Sequence, residues 1–198
     1  VLFMHVKRQL FPDTAYAFES GGNPSAIPSL TYENYRDTHA RHYNLANSKS
    51  VLYGDLDINR ETAFLNERFS NETDRQAGAP NALEMQAPVR PEPFTAQLAT
   101  TPENAAVGLA YVFGTWKDRE QVLAADILLD TLMGSNEAPL KRALLDAELG
   151  DDVSAYLMDG LAQPFVLFEV RGAKPGIAEK FQSVLESTCT DLVADGLP

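Results

Sequence analysis

Cysteine is almost missing from this chain: its 198 residues hold one, Cys189. No internal disulfide can form, which excludes the disulfide-stapled secreted scaffolds and fits a reducing compartment, cytoplasmic or an organelle matrix. Cys189 falls in a helical pattern between Leu185 and Leu192 and is expected to be a buried structural thiol rather than a nucleophile. Positive charge is also short, with 16 Lys and Arg against 28 Asp and Glu and a net charge of −12. The basic residues stand singly, so the clustered positive surface needed by phosphate backbones or anionic membranes is missing. Nucleic acid and membrane are therefore excluded as partners. No run approaches the ~18 consecutive apolar residues of a membrane span. The opening VLFMHVKRQLF carries His5, Lys7 and Arg8 and leads to no small-residue cleavage site, so it is not a secretory signal. It has the pattern of the tail of an amphipathic helix, and the chain is expected to begin inside an element.

What is present is ordinary for a soluble globular protein: 44% hydrophobic and 22% charged residues, in a length that suits one domain or one and a half. Regular structure should fail across residues 76–93, QAGAPNALEMQAPVRPEP, where Pro80, Pro88, Pro91 and Pro93 remove backbone donors and fix φ. This stretch is expected to be a linker. Before it, residues 11–29 form a loop punctuated by Pro12, Gly21, Gly22, Pro24 and Pro28. A helix follows from its N-cap Thr31, with Glu33 in the first turn and Tyr32, Tyr35, His39 and Tyr43 at helical spacing. Residues 48–55 should be a short strand, and Asp57 should cap a second helix with Ile58, Leu65 and Phe69 on its inner face.

After the linker, strands are expected at 94–100, 106–114, 153–158 and 165–171. Asp118 and Gln121 stand at capping-box spacing before a helix through Met133 that Gly134 should end in the left-handed conformation. Pro139 should open a short helix through Leu140, Leu144 and Ala147, closed by Gly150. Pro175 should open a long helix carrying Ile177, Phe181, Val184, Leu185 and Leu192, ended by Gly196. Adjacent strand pairs imply antiparallel sheets with helices packed on one face, an α+β fold.

The candidate chemistry fails residue by residue. Ser20-Gly21-Gly22-Asn23-Pro24 lacks the Lys-Ser/Thr of a phosphate loop and the third glycine of a dinucleotide fingerprint. Residues 55–59 imitate the start of a calcium loop, but Arg60 replaces the required glycine and Asn66 the bidentate Glu. His39 and His42, three apart on one helix, would need a third ligand for zinc, and His5, across the loop, is the only other histidine. There is no G-x-S-x-G elbow and no Cys-His arrangement.

Beyond this, SGGNPSAIPSLTYENYRDTHARHYNLANSKSVLYGDLD resembles the insulinase/pitrilysin peptidase family, especially its presequence-protease branch. The matching pieces are Pro12-Asp13-Thr14-Ala15-Tyr16 for PD-x-x-Y, Ser20-Gly21-Gly22-Asn23-Pro24 with Ile27-Pro28-Ser29-Leu30-Thr31, and Tyr53-Gly54-Asp55. The turn Leu45-Ala46-Asn47-Ser48 matches more loosely. GSNEAPLKRALLDAELGDDVSAYLMDG resembles the family's segment after the first long helix of its second domain. The resemblance implies a parent zinc metalloendopeptidase that encloses unstructured peptides in a chamber. Its chemistry would come from H-x-x-E-H, a motif this sequence does not contain: His39-Ala40-Arg41-His42 lacks both the Glu and the final adjacent His. No catalytic, cofactor-binding or metal-ligating residue carries over, so zinc belongs to the parent and none is expected here. By the same resemblance, residues 1–75 would end the first, zinc-bearing domain, and 94–198 would be most of the second, non-catalytic one. The part would serve as scaffold and chamber wall, with peptide substrates and the parent's other domains as partners. An inactive homologue acting as a structural or partner-binding subunit is the alternative.

Overall fold

FVLFEVR is apolar at nearly every position, as a strand covered on both faces must be. In the computed structural model, which describes residues 1–70, 84–99, 101 and 104–197, this segment is β3 (Phe165–Arg171), the centre of a three-stranded sheet. It pairs antiparallel with β1 (Ala106–Val112) on one side and β2 (Asp152–Met158) on the other. The register sets Val107, Val170 and Val153 in one row and Leu109, Phe168 and Ala155 in the next. These rows share a face, because side chains alternate along a strand.

That face carries the main core. It meets α4 (Arg119–Met133), α5 (Pro139–Asp146) and α6 (Ala178–Asp195), whose Met133, Leu140, Leu144, Phe181 and Leu185 are buried against it. The opposite face of β3 presents Phe165 and Leu167 to a smaller cluster built on Phe11, with Val6 and Leu10 of α1 (Leu2–Leu10). The Phe11 and Phe165 rings lie 5.8 Å apart, tilted by 56°. The fold is α+β with antiparallel pairing. Helices α4–α6 gather on one face, and α1 adds a helix on the other.

Several local expectations give way to specific contacts. Asp118 precedes α4, but its carboxylate accepts no helix N–H. Instead it takes hydrogen bonds from the Thr115 N–H at 2.7 Å and the Thr115 hydroxyl at 2.9 Å, tying down the preceding turn. Gly134 ends α4 with right-handed dihedrals, φ −69° and ψ −16°. It is held there by closeness rather than handedness, since a Cβ would stand 2.5 Å from the Asp130 carbonyl oxygen. After α5 the left-handed residue is Glu148, φ 52°, not Gly150. Gly150 answers a different need: a Cβ there would meet the Arg171 carbonyl oxygen at 2.5 Å. Gly196 does close α6 at positive φ, 85°.

Residues Val1–Glu19 and Glu84–Pro198 form one compact unit, and Ser20–Leu83 a second. This differs from a division into 1–75, 76–93 and 94–198, because Phe11 is buried on the Phe165 face and brings α1 with it. The expected linker is outside the described residues over 76–83; residues 84–93 have no regular structure but do not run free, and Gln86 is only 6% exposed. The second unit holds α2 (Tyr32–His42) and α3 (Ile58–Phe69). Both start where the sequence sets a cap: the Thr31 hydroxyl accepts from the Asn34 N–H at 3.2 Å, and Asp57 accepts from Asn59 and Arg60 at 3.0 and 3.2 Å. The strand expected at 48–55 does not form, and neither does one over 94–99, residue 100 lying outside the described residues. An extended segment becomes a strand only with a partner for its backbone groups, and none pairs with these among the described residues.

Candidate functional site

The three histidines divide between the compact units, His5 in one and His39 and His42 in the other. His39 sits within an aromatic ladder on α2, its ring stacked on Tyr43 at 4.8 Å and tilted against Tyr35 at 6.2 Å. This follows from the one-turn spacing of residues 35, 39 and 43. The next turn in the chain uses the backbone of His42, whose carbonyl accepts from the Asn47 side-chain amide at 3.0 Å. His5, in the other compact unit, stacks on Phe94 at 4.9 Å. Among the described residues no three His, Cys, Asp or Glu side chains are grouped to hold a metal ion.

Cys189 is half-buried on α6, and burial pushes its thiol above the ordinary range. Tyr111 of β1 faces it; burial first, then the nearby Glu186 carboxylate, raises the phenol as well. A thiol held protonated is a poor nucleophile. The start of β2 carries a polar cluster the sequence did not single out. Asp152 accepts from Arg171 at 2.9 Å and lies 3.7 Å from Lys141, with the Ser154 hydroxyl 3.4 Å from the same guanidinium. Partial burial acts upward on Asp152, but the Val153 backbone N–H, Lys141 and Arg171 together outweigh it and hold the carboxyl below its ordinary value. All four groups are committed to one another across the sheet edge. A shallow groove of about 400 Å³ runs beside the start of α1, lined by Leu2, Phe3, Met158 and Leu167, with the Glu169 carboxylate and the Tyr156 phenol as its polar side-chain groups.

The most constructed polar site gathers Asp13, Tyr16, Gln86 and Gln163. Gln86 accepts from the Asp13 N–H at 2.9 Å and donates to the Asp13 carboxylate at 2.8 Å. Gln163 grips the backbone of Gln86, accepting from its N–H at 2.6 Å and donating to its carbonyl at 3.1 Å. The Tyr16 hydroxyl accepts from the Ala162 N–H at 3.0 Å. Asp13 and Tyr16 are the fixed letters of PD-x-x-Y, but Gln86 and Gln163 carried no signal in the sequence. Their partners lie 73 and 77 residues away along the chain, a pairing that no local pattern encodes.

Kinship places the chain. Residues 29–197 match the family described as "Peptidase M16 inactive domain". The chain belongs to the M16, or insulinase/pitrilysin, peptidase family. Protein HypA of Clostridium perfringens is 33% identical over 205 residues, covering 100% of this chain and 21% of that protein. The mitochondrial presequence protease of Danio rerio is 26% identical, covering 97% of this chain and 20% of that protein. The crystal structure of a putative M16-like peptidase from Alicyclobacillus acidocaldarius superposes with a TM-score of 0.61 at 18% identity, over 99% of this chain and 47% of that one, which establishes the fold. This M16 chain thus spans about a fifth of the length of the curated relatives it matches. The ladder of α2 lies within the matched residues, as do Gln86 and Gln163, while Asp13 precedes them.

Proposed function

We propose that this chain is part of a zinc-dependent M16 metalloendopeptidase that degrades unstructured peptides in an enclosed chamber. Within it, this stretch serves as scaffold and chamber wall and supplies no zinc ligand. The observation that carries the reading is a match along nearly the whole chain to a presequence protease of which it spans only a fifth, within a family described as an inactive domain. Residues 94–198 are read as most of a second, non-catalytic domain, with α1 packed beside it, and residues 20–75 as part of the first. A reducing compartment, cytoplasm or organelle matrix, suits the single cysteine. The parent's other domains are its partners and peptides its substrates.

The test compares this chain with the longer protein that contains it, using a fluorogenic unstructured peptide. The chain alone should leave the peptide intact. The longer protein should cleave it, lose activity to a chelator and regain it with zinc. Chelator-insensitive cleavage, or zinc-dependent cleavage by this chain alone, would overturn the assignment.

A further inference from the structure

The compact unit that contains the sheet is discontinuous: the chain leaves it after Glu19 and returns at Glu84. Asp13 precedes the exit and Gln86 follows the return, and the two are joined side chain to side chain and side chain to backbone. Gln163 stands in the β2–β3 connection and binds both backbone groups of Gln86, as a neighbouring strand would. Tyr16 ties the outgoing segment to the same connection through Ala162. Apart from a bond from the Gln86 amide to the adjacent Ala87 carbonyl at 3.3 Å, the side-chain bonds named here run between segments distant in sequence, and Gln86 is buried while Asp13, Ala87 and Pro88 are exposed. The network is a fastening at the surface that touches the Phe11 cluster only through the Tyr16 ring, 5.6 Å from that of Phe11.

What it fastens is the thinner side of the sheet. The cluster under α1 has three buried residues, Phe11, Phe165 and Leu167, against eleven on the α4–α6 face, among the described residues. Segments with few buried apolar contacts open first, and they open as cooperative units. We propose that the Asp13–Gln86–Gln163 network is a latch, and that when it breaks Val1–Glu19 leaves the β3 face and residues 84–87 come free of the β2–β3 connection together with it. Release uncovers Phe165 and Leu167 while the opposite face stays packed. The latch gives the PD-x-x-Y letters a physical role: the Asp13 N–H and carboxylate receive the returning chain, and the Tyr16 hydroxyl anchors the outgoing one.

Hydrogen–deuterium exchange on the full chain tests this. In Gln163→Ala, amides of residues 2–17 and 84–87 should exchange about tenfold faster or more, as losing two hydrogen bonds of ordinary net strength implies. Both segments should accelerate by a similar factor, with β2, α5 and α6 unchanged. Gln86→Glu is the second variant. At neutral pH its carboxylate faces that of Asp13 and opens the latch, and at mildly acidic pH a shared proton restores the bond, so protection relative to wild type returns. Acceleration confined to 84–87 would show that α1 does not depend on the network, and acceleration throughout the sheet would make it ordinary core. Unchanged exchange in both variants would show that it holds nothing. Each of these three results overturns the proposal.

Discussion

Leu144 is fully enclosed, at 0% exposure, between α5 and the sheet. Leu144→Ala should destabilise the protein by about 2–5 kcal/mol, as buried leucines do when a cavity is left behind. Leu129 of α4 lies at the margin of the same core and is only partly buried, so Leu129→Ala should cost less. Urea midpoints of the two variants check the order; a larger loss at Leu129 would contradict the burial described. Cys189 offers a chemical readout: because burial raises its thiol, iodoacetamide at pH 7.5 should modify it far more slowly in the native chain than in urea. Asp152 offers a titration. Its carboxyl is held below the ordinary value in the folded state, so its stabilising contribution is present above the unfolded-state value and is lost as pH falls through the folded one. Asp152→Asn should therefore weaken the fall in urea midpoint between pH 5 and strongly acidic conditions; an unchanged pH profile would show that Arg171 and Lys141 do not act on it.

Among the elements, those whose start and stop are written locally were legible and those that need a distant partner were not. Thr31 and Asp57 cap their helices as their side-chain chemistry dictates, and Gly196 ends α6 with the positive φ that glycine tolerates. Asp57→Ala should cost α3 about 1 kcal/mol, visible as faster amide exchange over its first turns; no change there would mean the cap is idle. The strands expected at 48–55 and 94–100 show the limit: pairing decides a strand, and among the described residues those stretches have no partner. Asp118 shows the same limit at close range. A carboxylate at capping distance had a stronger offer from two Thr115 donors and took it.

For the molecule as a whole, the absence of H-x-x-E-H and the scattering of three histidines make a definite expectation: titration of the tag-free chain with zinc should show no tight stoichiometric site. A tight site that disappears in His39→Ala would contradict the aromatic-ladder role of that residue. The sequence by itself determined the α+β class, the helix boundaries set by caps, the family and the lack of a nucleophile or metal motif, because each rests on residue types at fixed short spacings. Only the tertiary structure decided that β3 is central, that α1 covers its second face, and that Gln86, read as part of a proline-rich linker, is buried between Asp13 and Gln163. Those facts depend on segments separated in sequence meeting in space, Asp13 and Gln86 being 73 residues apart, and a sequence pattern with a period of two or 3.6 does not say which segments meet.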